Sequence, residues 1–240
     1  MAKSSKKKEQ AKPNPVKASL TWLRRWVLRY VVLCMIIVLG VILVHRFVPP
    51  PKTFYMGQEA RRLGAIDYQW VAMDDIAPVM ARSVVAAEDA NFCTHWGFDI
   101  RAIRAVIEEG SRRGASTLSQ QVVKNTYLWH GRSYGRKALE ALMTPAMEML
   151  WPKRRIVEVY LNIAEFDEGV FGVDAAAQHY FGVKPRDLSA LQAARLAAIL
   201  PDPKGRSASK PSDFVRRRTA SIMDGAATIL LDGRAACFED

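Results

Sequence analysis

One stretch restricts the fold before any other. From Tyr30 through Val44, fifteen consecutive residues carry no charge, and Trp26 to Val48 extends the apolar run to the ~20 residues that a helix needs to cross the hydrocarbon of a bilayer. Arg29 and Arg46 bound the run and can snorkel to the two interfaces. A cleaved signal peptide is the rival reading, but no small-residue cleavage site follows; the chain runs on into His45-Arg46-Phe47-Val48 and three prolines. The net charge of +11 points the same way. Residues 1–29 hold nine Lys/Arg against one acid, Glu9, and so carry +8 of it. Basic residues gather on the cytoplasmic side of such a segment, so the spacing predicts an inside amino terminus and an exported body from residue 49. A basic tail abutting a membrane helix is explained by orientation and anionic lipid heads, which removes the case for nucleic acid.

The body reads as mainly α. Pro49-Pro50-Pro51 is a stiff spacer, and residues 52–76 show no clear period, with a short hairpin expected somewhere before residue 77. Pro78 suits a first helical position. Ile100, Ile103, Val106 and Ile107 recur at helical spacing between a capping Asp99 and a stopping Gly110. Ser116 or Thr117 caps a helix carrying Gln120, Gln121 and Lys124 in its first two turns. Further helices are expected over 136–150 with a break near Pro145, over 152–161, 173–181 and 188–200, and from Pro211 onward. Cys34 falls in the apolar run, which leaves Cys93 and Cys237 as the possible pair outside it; without a regular spacing, three unpaired thiols are expected.

Four polar clusters remain once apolar faces are assigned to the core. Glu88 and Asp89 end an apolar run, Ser83 to Ala87, where a carboxylate at the rim of a core gains proton affinity and can act as a general base; a solvated helix end is the alternative. His95, with no second histidine or cysteine at ligand spacing, is expected to be a hydrogen-bonded structural residue. The small-residue turn Gly114 to Thr117 leads into a helix start, a setting that attracts anions, with Lys124 one turn on. Arg132, Arg136, Lys137 and Glu140 form the third cluster. Its Arg136–Glu140 pair at i,i+4 reads by itself as an exposed ion pair of little consequence. Lys153, Ile156 and Tyr160 share a helix face that ends near Asn162.

In this order the clusters are specific. Glu-Asp-x-x-Phe-x-x-His-x-Gly (88–97), Gly-x-Ser-Thr-x-x-Gln-Gln-x-x-Lys-Asn (114–125), Arg-Lys-x-x-Glu (136–140) and Lys-x-x-Ile-x-x-x-Tyr-Leu-Asn (153–162) resemble the ordered motifs of the peptidoglycan glycosyltransferases, the family that includes the transferase domain of bifunctional penicillin-binding proteins. The match runs from about residue 70 to 205. With one anchor and no length after residue 240 for a transpeptidase domain, the chain is most similar to the monofunctional members.

The resemblance implies a lysozyme-like helical lobe, a smaller membrane-proximal jaw lobe and a reaction that extends glycan strands from lipid II. By motif position Glu88 is the general base and Glu140 the second acid. Ser116, Thr117, Gln120, Gln121, Lys124, Arg132, Arg136 and Lys153 line the sugar and diphosphate sites. A divalent cation, Mg or Mn, is expected with the substrate diphosphate and Glu140 as its protein ligand; no organic cofactor is implied. Expected partners are lipid II, the growing lipid-linked strand, the membrane and other cell-wall synthesis proteins. The implied layout is a cytoplasmic tail (1–25), a transmembrane helix (26–48), a linker with the start of the periplasmic part (49–69) and the catalytic domain (70–240), held at the inner membrane. The residues themselves support a transferase over a glycosidase. A glycosidase must protonate an alkoxide leaving group, whereas a diphosphate leaving group needs cations, which Lys124, Arg132, Arg136 and Lys137 supply within fourteen residues. A lytic enzyme and a catalytically silent scaffold are the readings from other classes. Phe166-Asp167-Glu168-Gly169 and Gln192 depart from the family's usual residues, outside the proposed catalytic set.

Overall fold

A computed structural model describes residues 15–110, 116–131 and 133–239. Helix α1 spans Pro15–His45. Its apolar part, Thr21–His45, has 25 residues, and at 1.5 Å per residue it measures about 37 Å, long enough to cross a bilayer. The chain divides into two compact units, residues 1–42 and 43–240. Within the second, the segment from His45 to Val48 is tied down by Arg155, whose guanidinium donates to the His45 carbonyl at 3.0 Å and the Val48 carbonyl at 2.8 Å.

Residues 52–76, unreadable by period, contain helix α2, Phe54–Leu63, started by a Thr53 cap. Helix α3, Pro78–Glu88, begins on the proline and places Glu88 at its last turn. Asp99 caps α4, Ile100–Glu108, by accepting from the Ala102 amide. Thr117 caps α5, Leu118–Tyr127, through a capping box with Gln120. Helix α6, Tyr134–Leu150, runs through Pro145 without the expected break. A proline removes one hydrogen bond from a helix, and the face of α6 that carries Thr144 and Met147 stays buried on either side of the exposed Pro145. Helices α7 (Lys153–Ile163), α8 (Gly172–Phe181), α9 (Ala190–Ile199), α10 (Asp213–Leu231) and the short α11 (Ala236–Glu239) complete the helical set.

The expected hairpin before residue 77 lies elsewhere. Strands β2 (Glu165–Asp167) and β3 (Val170–Phe171) form the antiparallel hairpin, and β1 (Asp67–Tyr68) adds to β3 in parallel, with Asp67 opposite Val170 and Tyr68 opposite Phe171. Strands of two or three residues are too short to show alternation, so sequence could not place them. The residues that depart from the family's usual pattern fit locally. Phe166 is buried, Asp167 accepts from the Tyr180 hydroxyl at 3.0 Å, and Gly169 takes φ 74° to close the turn. Gln192 completes a capping box with Ser189 at the start of α9, a role that glutamine and glutamate fill alike.

Two groups of helices build the core. α3, α9 and α10 pack on one another through Val84, Val85, Leu196, Ile222 and their neighbours. α5 packs on α6 and α7. The α5–α6 contact has an unusual polar character, because α6 turns Glu140, Thr144 and Glu148 inward, and these meet Ser119 and Gln120 of α5. The expectation of three free thiols is corrected: Cys93 and Cys237 form a disulfide, and Cys34 is free. α11 folds back over α7, so Phe238 packs against Phe92 and brings together two cysteines 144 residues apart in sequence.

Candidate active site

The polar face between α5 and α6 continues to the end of α3, and the site forms there. Glu88 is half-buried. One of its carboxylate oxygens accepts from Gln121 Nε2 at 3.1 Å; among the described residues no other hydrogen bond reaches it. Gln121 in turn accepts from the Tyr160 hydroxyl at 3.4 Å. Tyr160 is 2% exposed. Burial, and then the charge of Glu88, pushes its ionisation well above the usual tyrosine range, so the phenol is a donor.

Asp89 has a different task. One oxygen accepts from the Leu118 amide at 3.0 Å, and the other pairs with His95 Nε2 at 2.8 Å. The anion at the start of α5 is thus the protein's own, and it locks the Glu88 end of α3 to α5. His95 is held as a structural residue. Gly97 follows at φ 83°, where a Cβ would stand 2.5 Å from Thr144 Cγ2, so the turn accepts only glycine without a shift. The Gly97 carbonyl accepts from the Thr117 hydroxyl at 2.6 Å.

Glu140 is not the exposed ion-pair partner expected from i,i+4 spacing. It is 2% exposed and accepts from Arg136 Nη1 at 2.9 Å, Gln120 Nε2 at 3.4 Å and the Lys137 ammonium. Lys137 also reaches Ser116 Oγ at 3.5 Å. Three donors on one buried carboxylate fix two cationic side chains at the mouth of the polar face. Lys124 sits close enough to feel Glu140 and Glu88 and has no hydrogen-bond partner among the described residues. Burial, opposed by those two carboxylates, holds its ammonium below the ordinary lysine value. Lys153 is engaged otherwise, donating to Glu148 and to the His95 carbonyl, both at 2.8 Å, with its ammonium 4.2 Å from the centre of the Phe92 ring.

Gln121 and Lys124 open onto a cavity of about 260 Å³ that also borders Tyr55, Asn125, His130 and Tyr160. Tyr55 and His130 stack at 4.0 Å, and the side-chain oxygen of Asn125 is buried with no hydrogen-bond partner among the described residues. Burial, then the nearby Lys124 and Arg136, lowers the His130 imidazole to about 4 and keeps it neutral at pH 7. Sequence reasoning missed Tyr55, His130 and Glu148. Glu148 had a signal, since Glu140, Thr144 and Glu148 repeat every four residues on one helix face; Tyr55 and His130 had none.

The structure therefore brings Glu88, Glu140, Ser116, Gln120, Gln121, Lys124 and Arg136 around one polar face. Thr117 and Lys153 stand behind it in supporting contacts, and Arg132 lies outside the described residues. Glu140 already accepts from two cationic side chains and an amide, and no group of three or more His, Cys, Asp or Glu that could hold a metal occurs among the described residues.

A half-buried carboxylate beside a cluster of positioned cations lies on a mainly α fold with a helix long and apolar enough to span a membrane. The family described as Transglycosylase matches residues 56–227. Over 236 residues the chain is 58% identical to the biosynthetic peptidoglycan transglycosylase of Jannaschia sp. (strain CCS1), covering 98% of this chain and 99% of that one. It is 46% identical over 200 residues to the protein of that name from Caulobacter vibrioides, covering 82% and 87%. It is 50% identical over 204 residues to the one from Pseudomonas fluorescens (strain SBW25), covering 80% and 84%. The chain belongs to the transglycosylase family, in the branch whose members carry the name biosynthetic peptidoglycan transglycosylase.

Proposed function

We propose that the protein polymerises lipid II into β-1,4 glycan strands with inversion and release of undecaprenyl diphosphate, with Glu88 as the general base. The supporting observation is the division of labour at the site: a carboxylate with one oxygen held by Gln121 and, among the described residues, the other open, next to an ammonium that no described side chain bonds. Glu88 takes the proton of the acceptor's sugar 4-hydroxyl as that oxygen forms its bond to the anomeric carbon of the lipid-linked strand. The bond from that carbon to the diphosphate oxygen breaks, and its electron pair leaves with the diphosphate. Lys124, Arg136, Lys137 and, by its motif position, Arg132 stabilise that charge in place of an acid. Glu140 holds the cations in position. A divalent cation is proposed only as a companion of the substrate diphosphate, and no step is assigned to it.

The membrane anchor and the exposed Trp96, Ile100, Ile107, Leu142 and Met149 suit a lipid substrate. The basic residues before the anchor favour a cytoplasmic amino terminus, and the Cys93–Cys237 bridge favours an oxidising, periplasmic compartment for residues 49 onward. The test is purified protein in detergent with lipid II, expected to yield uncrosslinked polymer. Release of fragments from cell-wall sacculi without polymer from lipid II would identify a lytic enzyme instead.

A further inference from the structure

Tyr160 belongs to a motif whose Lys153 and Asn162 are used structurally: Lys153 binds Glu148, and Asn162 bonds the Val71 backbone in both directions, accepting at 2.8 Å and donating at 2.9 Å. The phenol faces the site instead. From this we infer that Tyr160 is a positioning residue for the reaction, acting through Gln121 to hold the glutamine amide nitrogen in place against Glu88. The inference rests on Glu88 being the base.

A glutamine side chain carries two donors at one end and an acceptor at the other, separated by a free rotation. Against a carboxylate only the nitrogen end is favourable; the oxygen end repels it. A solvated amide could still turn away from Glu88 to bond water. Here its oxygen faces Tyr160, a buried phenol kept protonated by its surroundings, and its nitrogen faces Glu88 Oε2. Glu88 selects the nitrogen end, and the phenol, donating to the amide oxygen, anchors the far end so that the amide is held in that orientation. That orientation holds Oε2 and leaves Oε1 as the oxygen that receives the proton. The separation between Tyr160 and Gln121, 3.4 Å, is long for a hydroxyl donor, and catalytic hydrogen bonds of this kind often tighten when substrate is bound. Tyr160 lines the cavity beside Gln121 and Lys124, so substrate there presses on the same chain of contacts.

The test is a double-mutant cycle on the full-length protein in detergent with lipid II, using Tyr160→Phe, Gln121→Ala and their combination. Tyr160→Phe removes one oxygen from a packed ring, and a circular dichroism melt confirms that the fold survives. Its kcat is expected to fall about ten- to a hundredfold, as displaced general-base geometry does, with KM within about twofold. In the Gln121→Ala background the same change is expected to alter kcat by less than about twofold, because its route to Glu88 is gone. Full rate for Tyr160→Phe, a loss in KM instead of kcat, or an equal loss in both backgrounds would overturn the inference. Should Gln121→Ala polymerise too slowly to follow, the single-variant split decides between kcat and KM. Glu88→Gln, run alongside, separates the two failures: a normal rate in that variant overturns the base assignment, whereas an inactive Glu88→Gln with an unimpaired Tyr160→Phe overturns only the role of Tyr160.

Discussion

Reducing the Cys93–Cys237 bridge is expected to lower the melting temperature of the body by about 6–12 °C. The bridge closes a loop of 144 residues, and the chain-entropy relation gives about 5 kcal/mol at 25 °C for a loop of that length. Measured bridges commonly deliver less, so about 3 kcal/mol is the working figure. For a domain of 150–250 residues each kcal/mol moves the midpoint by roughly 2–4 °C. The carboxyl-terminal segment has other attachments. Phe238 packs on Phe92, Arg154 donates to the Phe238 carbonyl at 3.4 Å, and Arg234 donates to the Ala90 carbonyl at 2.9 Å. Reduction should therefore loosen α11 and the loop after Glu88 without unfolding the protein at 25 °C. The assay is a circular dichroism melt in detergent with and without reductant, paired with thiol titration under denaturing conditions. One thiol, Cys34, is expected before reduction and three after. A midpoint shift below about 2 °C, with the thiol count confirming reduction, would refute the reasoning.

Two other perturbations probe the polar face. Glu140→Ala leaves Arg136 and Lys137 without their buried counter-charge and is expected to cost about 3 kcal/mol by urea unfolding, at the low end for breaking a buried pair because Lys137 can turn to water; a cost under about 1 kcal/mol contradicts it. His130, lowered to about 4 by burial and nearby cations, binds fewer protons in the folded state than in the unfolded one between pH 6.5 and 4. Stability is therefore full above about pH 6.5 and declines as pH falls toward 4, and His130→Gln should flatten that part of the melting-temperature profile. Identical profiles for the two proteins count against a neutral, desolvated imidazole.

Much of this site was legible because its signals are local. Asp99 and Thr117 announce their helices through side chains that cap the next turn, and Glu88 ends an apolar run that must pack. What escaped depends on distant chain. The Cys93–Cys237 bridge requires α11 to return across α7, and the sheet joins residues 67–68 to 170–171. Glu140 looked exposed because i,i+4 spacing says nothing about which face a helix buries; its burial follows from α5 presenting Gln120 opposite. Tyr55 and His130 meet only because α2 packs against α5.

The most direct test of the whole account is the polymerisation rate of Glu88→Gln beside the wild type, with lipid II in the same detergent. The substitution keeps the size of the side chain and removes its ability to accept a proton. The account predicts loss of at least about a hundredfold in rate, the scale of a missing general base, with an unchanged melt and an intact Cys93–Cys237 bridge. Polymer formed by Glu88→Gln at the wild-type rate would contradict it.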